Sequence, residues 1–551
     1  MKRFAVLIFA LVLLLVPAAP LAAQGGSTTV TIVAFSDYHS HAVPFYSEGK
    51  PNQAGIARAI AYLKEQKAQP NTIVVSGGDT MNAGTPTWSD EYTCIEWPWF
   101  NGLVDVMAVG NHDFDYGADA FAQCQASADY PIISASLVKS DGTPYFQVDG
   151  KPYVVKEVDG VKIGFFALGG PDVQKLIKPE NLPADTSWKD ATATAQEVVD
   201  ALRNQEKVNA VVFIGHELRE DDEALAKAVP GIDLILGTHS HYKGELTRIP
   251  GTDTSYISPF QYLTYLSRVQ LAFDNGKLAK VTGELVKMDE SRPEDPEVAG
   301  KVAQLQKDLV ARHPERFEVL GQAQKELSDA NISTGESLIG NWATEVLRRA
   351  AGANAFFSTA SSFRAAIPPG DITVEQFYTA IPYKNTVTTA EMTGKQLADL
   401  VALSVSKMGS DGFSQESGVR YAVQDGKPIN IQVLKDPANP AADYAPLDPN
   451  ATYTIGTTDF QAFVAGGYKD LFAQAQNLAK TDKDAHQTLI DAIKTGPITA
   501  ELDGRTNATG PAPATLPTTG HSTENVLLLL VAGLTVLLGG TALRRWAPGN
   551  R

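Results

Sequence analysis

Five short apolar runs in the first half of this 551-residue chain are each followed by residues that commonly bind metal ions. The runs are Val30–Phe35, Thr72–Val75, Val104–Val109, Ala210–Ile214 and Ile232–Leu236. Short β-branched runs bounded by Gly or polar residues are typical of buried strands, and helical patterns between them favour a mixed α/β sheet. Because such sheets bind ligands outside the carboxyl ends of their strands, we expect the residues after the runs to meet at one edge.

The side chains that follow the runs offer oxygen and imidazole donors and no thiolate. They are Asp37, His39, Asp79, Asn111, His216, His239 and His241. This set suits Zn, Mn, Fe or Ni better than Ca, and seven donors exceed what one ion needs. The sequence therefore predicts two divalent metal ions. Two ions roughly 3.5–4 Å apart can polarise a phosphoryl group and supply the nucleophile for in-line displacement.

Each of these clusters alone is weak evidence, because Asp, Asn and Gly are also common in ordinary turns. Their repetition after successive strand-like runs is what favours a metal site. His41 follows His39 by two residues, and we interpret it as a loop residue beside the site rather than as a ligand.

The order of these motifs resembles the signature of the calcineurin-like metallophosphoesterases. The matching segments are Asp37-Tyr38-His39-Ser40-His41, Gly78-Asp79, Gly110-Asn111-His112-Asp113, Gly215-His216 and Gly237-Thr238-His239-Ser240-His241. The continuation Phe114-Asp115-Tyr116-Gly117 is similar to the secreted 5′-nucleotidase / UDP-sugar hydrolase group. The resemblance spans residues 28 to about 500 and is more specific in the first half. It implies a four-layered metallophosphatase β-sandwich flanked by helices, followed by a smaller α/β substrate-binding domain.

The resemblance also implies a role for each residue of the site. One ion would be held by Asp37, His39, Asp79 and His241, and the other by Asp79, Asn111, His216 and His239, so that Asp79 bridges the two. His112 and Asp115 match the family's catalytic pair. The His112 imidazolium would stabilise developing charge, and the Asp115 carboxylate would orient the ring and favour its protonated form. An ordinary turn residue is the alternative interpretation of Asp115.

In the second half the resemblance implies a nucleotide-binding site. Arg364 would contact the phosphates or ribose, Tyr383 would stack on a base, and Asn385 would offer its amide to the base edge. Either Phe463 or Phe460 could form the other face of the base site. A core aromatic near a strand is the alternative interpretation of Tyr383.

Three departures from the family pattern fall in this second half. Asp329 and Ser333 stand where the family has arginines, Ala360-Ser361-Ser362 replaces a run of glycines, and Tyr468 stands where an aspartate is expected. Substrate recognition is therefore less firmly predicted than phosphoester chemistry.

The chain is long enough for at least two domains, and its 44% hydrophobic and 20% charged composition is ordinary for a soluble globular protein. The expected segments are a signal peptide (1–23), a calcineurin-like metallophosphoesterase domain (28–290), an interdomain helix and linker (291–318), a 5′-nucleotidase C-terminal substrate-binding domain (319–505), a linker (506–515) and an LPxTG-type sorting signal with a transmembrane run (516–551). In the interdomain segment, Asp295 and Pro296 predict the start of a helix.

Both ends of the chain carry targeting features. Lys2-Arg3, the apolar stretch Phe4–Val16 and the small residues Leu21-Ala22-Ala23 are typical of a secretory signal peptide. Leu516-Pro517-Thr518-Thr519-Gly520, the apolar run Val526–Leu543 and Arg544-Arg545 resemble a sortase signal for attachment to peptidoglycan. We expect a secreted, cell-wall-anchored protein that contacts the membrane only through this segment before processing. A plain C-terminal membrane anchor is the alternative.

The two cysteines bear on the compartment of the protein, and the net charge bears on its partners. Cys94 and Cys124 flank the Asn111-His112-Asp113 motif, and in an oxidising compartment they could form a disulfide, with two free thiols as the alternative. The formal net charge of −17 argues against nucleic acid polymers as partners. A small anionic substrate can still be attracted by the charge of the metal ions.

The sequence thus predicts an extracellular phosphohydrolase that releases phosphate from nucleoside 5′-monophosphates, with nucleoside di- and triphosphates and UDP-sugars as further candidate substrates. Two enzymatic alternatives are a 2′,3′-cyclic-nucleotide phosphodiesterase with 3′-nucleotidase activity and a phosphatase of a non-nucleotide ester. The alternative from another class is a surface adhesin on a catalytically dead phosphatase scaffold.

Overall fold

The computed structural model describes residues 26–439 and 443–507. The predicted signal peptide (1–23), the sorting signal (516–551) and all but the first two residues of the predicted linker (506–515) lie outside these ranges. Across the described ranges, no helix is long and apolar enough to cross a membrane.

The first domain is built from strands that form two large sheets and a few small ribbons. The strands are β1 (Ser27–Phe35), β2 (Phe45–Ser47), β3 (Lys50–Gln53), β4 (Thr72–Ser76), β5 (Val106–Ala108), β6 (Ile132–Ile133), β7 (Leu137–Lys139), β8 (Tyr153–Val158), β9 (Val161–Gly169), β10 (Thr186–Trp188), β11 (Ala210–His216), β12 (Leu234–Gly237), β13 (Lys243–Arg248), β14 (Ser255–Pro259), β15 (Tyr265–Asp274) and β16 (Lys277–Lys287).

Helices connect these strands and cover the outer faces of the sheets. The α-helices are α1 (Ile56–Lys67), α2 (Thr87–Tyr92), α3 (Ala118–Ala126), α4 (Val173–Leu176), α5 (Ala191–Asp200), α6 (Arg219–Ala228) and α7 (Pro296–Arg312). Short 3₁₀ turns span Trp97–Phe100, His112–Phe114, Pro179–Asn181 and Pro314–Phe317, and a π-helical turn spans Ala201–Glu206.

Two six-stranded sheets pack face to face. Their strand orders are β16-β15-β1-β4-β5-β6 and β13-β14-β12-β11-β9-β8, and the central strands of each run parallel. In β1, Ile32 faces the core between the sheets, whereas Val33 faces the outer helices. In β11, Val212 and Phe213 alternate in the same way. The alternation produces helix, sheet, sheet and helix layers, which confirms the predicted four-layered sandwich.

All five predicted runs are strands, but they do not share one sheet. The first three runs correspond to β1, β4 and β5 of one sheet, and the last two correspond to β11 and β12 of the other. Strands buried on both faces read as continuous apolar runs, so their sequences do not reveal which sheet they join. The pattern of the runs alone therefore indicated a mixed α/β sheet without its division into two sheets. The expectation of one shared edge holds, because the carboxyl ends of both sheets point to the same edge of the sandwich.

The second domain is a smaller α/β unit. Its strands are β17 (Val319–Ala323), β18 (Ala355–Thr359), β19 (Gly370–Thr373), β20 (Thr386–Thr393), β21 (Ser414–Ser417), β22 (Val419–Gln424), β23 (Lys427–Leu434), β24 (Tyr444–Pro446), β25 (Thr452–Thr458), β26 (Gln476–Asp484) and β27 (Thr506–Asn507). Its helices are α8 (Leu338–Ala351), α9 (Val374–Ala380), α10 (Gly394–Ser406), α11 (Asp459–Phe463), α12 (Tyr468–Phe472) and α13 (Ala485–Lys494), with a 3₁₀ turn at Ala360–Ser362.

A five-stranded sheet in the order β21-β18-β25-β20-β26 forms the centre of the second domain. Helices α8 and α13 pack on one face of this sheet and α10 and α12 on the other. A four-stranded sheet, β24-β23-β22-β27, extends the domain on one side. This arrangement confirms the predicted α/β class of the second domain.

Helix α7 begins as predicted and then packs against the first domain. Asp295 Oδ1 accepts the Val298 N–H at 3.0 Å, and Pro296 occupies the first helical position. Val298 and Leu309 are buried in the outer layer of the first sandwich. The helix therefore belongs physically to the first domain, and the boundaries at 290, 318 and 505 stay predictions.

The disulfide between Cys94 and Cys124 forms, with a Cα–Cα distance of 4.8 Å. It joins the turn after α2 to α3 and so encloses the segment that carries Asn111, His112 and Asp115.

The two domains also contact each other directly. Glu375 of α9 accepts the Thr87 N–H at 2.8 Å and the Thr87 hydroxyl at 2.6 Å.

Candidate metal centre

The seven predicted ligands meet at the carboxyl-terminal edge of the two sheets. Asp37 and His39 follow β1, Asp79 follows β4, Asn111 follows β5, His216 ends β11, and His239 and His241 follow β12. Side chains as far apart in the chain as His39 and His241 are thereby brought within 3.1 Å. Because six of these seven polar groups are buried where both sheets end, their charges interact more strongly than they would in water.

Most of these ligands stand on an unusual backbone. The φ angles of Asp37, His39, Asp79, His239 and His241 are 51°, 49°, 51°, 58° and 47°. Side-chain-bearing residues rarely adopt this left-handed region, and such residues cluster at functional sites where the surrounding structure holds them. Here the Asp37 N–H donates to the Gly78 carbonyl and the His39 N–H to the Asp79 carbonyl, both at 3.0 Å.

The donor atoms form two groups that share Asp79. In one group, His241 Nε2 lies 3.5 Å from Asp37 Oδ1 and 3.1 Å from His39 Nε2. In the other, Asp79, His216 and His239 offer donors within 4.8 Å of one another. Asp79 Oδ2 lies 3.1 Å from His216 Nε2 and 3.8 Å from His39 Nε2, so this carboxylate faces both groups.

These atoms fit divalent metal ions. Asp79 Oδ2, Asn111 Oδ1 and His216 Nε2 are buried without a hydrogen-bond partner, which is costly unless another ligand satisfies them. Two donors bound to one ion at about 2.0–2.2 Å lie roughly 2.8–3.6 Å apart, depending on the bond angle. The three shortest donor distances, from 3.1 to 3.5 Å, fall in that range.

In three of the histidines, one ring nitrogen contacts a backbone carbonyl or a carboxylate, as is usual for metal-binding histidines. His39 Nδ1 donates to the Met81 carbonyl at 3.2 Å, and His216 Nδ1 donates to the Gly77 carbonyl at 2.8 Å. His239 Nε2 lies 3.3 Å from Asp172 Oδ2. Neither the carbonyls nor Asp172 could be found from the sequence, because they carry no motif of their own.

Asp113 is a second residue that the sequence interpretation missed. Its buried carboxylate accepts the N–H groups of Asp79 at 3.0 Å, Thr80 at 2.8 Å and Gly110 at 2.9 Å. It therefore fastens the loop after β4 to the loop after β5. The signal was present in the Gly-Asn-His-Asp motif, but only the folded loops show what the last residue does.

His112 and Asp115 form a close pair beside the clusters. His112 Nδ1 lies 2.8 Å from Asp115 Oδ2, and the His112 N–H donates to Asp79 Oδ1 at 2.7 Å. Burial disfavours the imidazolium, but the Asp115 and Asp79 carboxylates outweigh burial and raise the pKa of His112 to about 10. A protonated His112 is suited to stabilise negative charge. The ring also lies close enough to His39 and Asp79 to complete a third donor group.

His41 is in none of the donor groups of the described residues, and its assignment as a neighbour of the site stays a prediction. Its ring stacks on Tyr262 at a centroid distance of 3.7 Å, and its Nδ1 donates to the His39 carbonyl at 2.9 Å. Burial lowers the pKa of His41 to about 4, so the ring is neutral at pH 7.

The four predicted substrate residues divide into two pairs. Arg364 and Tyr383 lie at the metal centre: Arg364 Nη2 donates to the Tyr383 hydroxyl at 2.9 Å, and Nη1 closely contacts His241. Asn385 and Phe463 instead line a separate pocket of about 400 Å³ with Phe460. Tyr383 packs against the Arg364 guanidinium, 5.5 Å from the ring centroid, rather than lining this pocket.

Family comparisons agree with this geometry. The calcineurin-like phosphoesterase family model matches residues 30–243, and the 5′-nucleotidase C-terminal domain model matches residues 319–474. The chain belongs to the 5′-nucleotidase family of metallophosphoesterases. All seven donor residues lie within the phosphoesterase match, and all four predicted substrate residues lie within the 5′-nucleotidase match. Calcineurin-like phosphoesterases use divalent metal ions, which agrees with the donor groups of this chain.

Relatives of this 5′-nucleotidase family member differ in length. It is 26% identical over 512 residues to the trifunctional nucleotide phosphoesterase protein YfkN of Bacillus subtilis, a match that covers 82% of this chain and 33% of YfkN. The chain thus spans about a third of that relative. It is 25% identical over 497 residues to protein UshA of Yersinia enterocolitica, covering 80% of this chain and 86% of UshA.

A solved structure of a family member has the same architecture. The 5′-nucleotidase precursor from Thermus thermophilus superposes with a TM-score of 0.68 at 26% identity, and the match covers 88% of this chain and 100% of that one. Both domains of the present chain are therefore represented in a single known structure.

Proposed function

We propose that this protein is a dinuclear phosphohydrolase that releases phosphate from nucleoside 5′-phosphates. The observation that carries the proposal is the pair of buried donor groups that share Asp79 and lie against the His112–Asp115 pair. A binding protein on an inactive scaffold would not need the orphaned atoms of Asp79, Asn111 and His216 to stay together. The retained set favours catalysis over the adhesin alternative.

Asp37, His39, Asp79 and His241 would hold one ion, and Asp79, Asn111, His216 and His239 would hold the other. The imidazole and carboxylate donors suit Zn or Mn. When bound, such a pair polarises the phosphoryl group and lowers the pKa of a bound water, so that hydroxide is available at neutral pH.

The chain's own residues complete the chemistry. His112, kept protonated by Asp115, lies beside the donor groups and would stabilise charge on the phosphoryl oxygens or protonate the leaving oxygen. Arg364 reaches from the second domain to the same place and would bind a phosphate oxygen by charge-assisted hydrogen bonds. Burial of the donor groups keeps competing water away from the reacting atoms.

The pocket that Asn385 and Phe463 line supports a nucleoside as the rest of the substrate. Phe463 exposes 45% of its surface there, which is unusual for a large apolar ring and leaves a face on which a base can stack. The amide of Asn385 can hydrogen-bond to a base edge. The similarity to YfkN, a trifunctional nucleotide phosphoesterase, supports a nucleotide as the substrate, with di- and triphosphates, UDP-sugars and cyclic nucleotides as further candidates.

Secretion and attachment to peptidoglycan by sortase form part of the same proposal. The Cys94–Cys124 disulfide supports an oxidising compartment outside the cytosol. The net charge of −17 argues against a nucleic acid polymer as the partner, whereas the charge of the metal ions can still attract a small anionic substrate.

A substrate panel tests the proposal. Phosphate release is measured from AMP, ADP, UDP-glucose, 2′,3′-cyclic AMP and a sugar phosphate, with and without added Mn²⁺ or Zn²⁺. We expect the fastest metal-dependent release from AMP. Faster release from the cyclic nucleotide or the sugar phosphate would favour the corresponding alternative, and no release from a metal-loaded protein would favour the adhesin.

A further inference from the structure

A histidine that binds a metal through one ring nitrogen carries a proton on the other nitrogen and donates it to a fixed acceptor. His39 and His216 meet this requirement with backbone carbonyls, and His239 meets it with the Asp172 carboxylate. His241 is the exception among the four. Its outward nitrogen faces the second domain instead of an acceptor in its own domain.

The orientation of His241 is fixed by its neighbours. Its Nε2 faces the donor group, 3.1 Å from His39 Nε2 and 3.5 Å from Asp37 Oδ1. Its Nδ1 closely contacts Nη1 of Arg364. A guanidinium can only donate hydrogen bonds, so this contact requires an unprotonated Nδ1 and places the ring proton on Nε2. That tautomer cannot bind a metal through Nε2.

A carboxylate that could accept the proton in the other tautomer is already nearby. Asp411 Oδ2 lies 3.9 Å from His241 Nδ1 and 3.1 Å from Arg364 Nη1. The Asp411 carbonyl accepts the Ser361 N–H at 3.0 Å, which anchors the loop beside Arg364. Because Arg364 also donates to Tyr383, it can give up the contact with His241 and still keep two partners.

We propose that Asp411 is the positioning residue for His241: its carboxylate accepts a hydrogen bond from Nδ1–H and so directs Nε2 toward the metal, while holding Arg364 beside the same ion. This inference rests on the proposed dinuclear site. It means that a side chain of the second domain completes the support of a ligand in the first, so metal affinity at one of the two positions depends on both domains.

Metal binding without substrate tests the inference. The affinity of the full chain for Zn²⁺ is measured by chelator competition for the wild type, Asp411→Ala and Asp411→Asn. Loss of a supporting carboxylate typically weakens metal binding by about 10–100-fold, so we expect Asp411→Ala to weaken one of the two sites by that factor and to spare the other. Asp411→Asn keeps an acceptor oxygen and should recover most of the loss.

Asp399→Ala is the matched control, because Asp399 is also a carboxylate of the second domain but, among the residues that the structure describes, pairs only with exposed Lys395, at 2.8 Å. Its Zn²⁺ binding and its unfolding temperature without metal should both equal those of the wild type. Wild-type affinity of both sites in Asp411→Ala, or equal weakening of both sites in every variant, would overturn the inference and leave the proposed function intact. A wild type that binds fewer than two ions would overturn both.

Discussion

At the scale of single residues, Asp79 is the residue that connects the two donor groups. One carboxylate oxygen faces both donor groups, and the other accepts the His112 N–H at 2.7 Å. Burial disfavours the charged carboxylate, but the neighbouring His216 and His112 outweigh burial and hold the pKa of Asp79 well below its usual value. The group is therefore an anion that two cations can share.

Asp79→Asn tests this role. A neutral amide cannot offset the charge of two ions, so we expect both sites to lose affinity together and phosphate release to fall by at least about 100-fold. Metal content by mass spectrometry and phosphate release are measured on the same sample. Retention of two tightly bound ions would contradict the bridging role.

His112→Ala separates catalysis from metal binding. The proposal gives His112 no metal, so both ions should stay bound while kcat falls by roughly 10²–10⁴, the scale for a general acid or a single charge stabiliser. Loss of an ion in this variant would instead assign His112 to the third donor group that the geometry allows.

At the scale of elements, the disulfide supports the loop that carries His112 and Asp115, the proposed catalytic pair. Cys94 and Cys124 are 30 residues apart, and the segment between them contains β5, Asn111 and His112. Cys124 is fully buried on α3, and its sulfur packs against Met81, whose carbonyl accepts a hydrogen bond from His39. The bridge therefore links the helix layer to two of the ligand loops.

Replacing both cysteines by alanine should destabilise the first domain. Closing a loop of about 30 residues is worth roughly 3–4 kcal/mol in the chain-entropy model. We expect a loss of that order in the free energy of unfolding in urea, relative to the oxidised wild type. The reduced wild type serves as the control and should unfold like the variant, whereas unchanged stability of both would show that the bridge adds nothing.

The strands also show which parts of the fold and of the site could be predicted from the sequence. Strand-like runs and the ligands after them are local signals, so β1, β4, β5, β11 and β12 were predicted together with the residues they present. The division of these strands between two sheets was not, because strands buried on both faces look alike. Asp172 and Asp411 were not predicted for another reason. Each contacts a histidine that is distant in the sequence, and neither belongs to a recognisable motif.

At the scale of the whole molecule, the proposed catalytic residues and the proposed base pocket lie in different domains, and Arg364 of the second domain contacts the metal centre of the first. The first domain supplies the donor groups, and the second supplies Arg364 and Tyr383 at the metal centre and the pocket that contains Phe463. Tyr383 was predicted to stack on a base, yet its hydroxyl holds Arg364. The two aromatics should therefore respond differently to substitution.

Phe463→Ala and Tyr383→Ala are compared on AMP and p-nitrophenyl phosphate. Loss of a stacking face costs roughly 1–3 kcal/mol, so Phe463→Ala should raise KM for AMP by about ten- to a hundredfold and leave the base-free ester unaffected. Tyr383→Ala should impair both substrates, because Arg364 loses a partner. If Tyr383→Ala impaired AMP alone, Tyr383 would be the stacking residue after all.

The most direct test of the central claim is a metal titration of the wild-type chain. The protein is stripped with a chelator, Zn²⁺ or Mn²⁺ is added in known equivalents, and bound metal and phosphate release from AMP are followed together. We predict two tightly bound ions per chain and phosphate release that requires the second equivalent. Full release with one ion bound, or with none, would contradict a dinuclear phosphohydrolase.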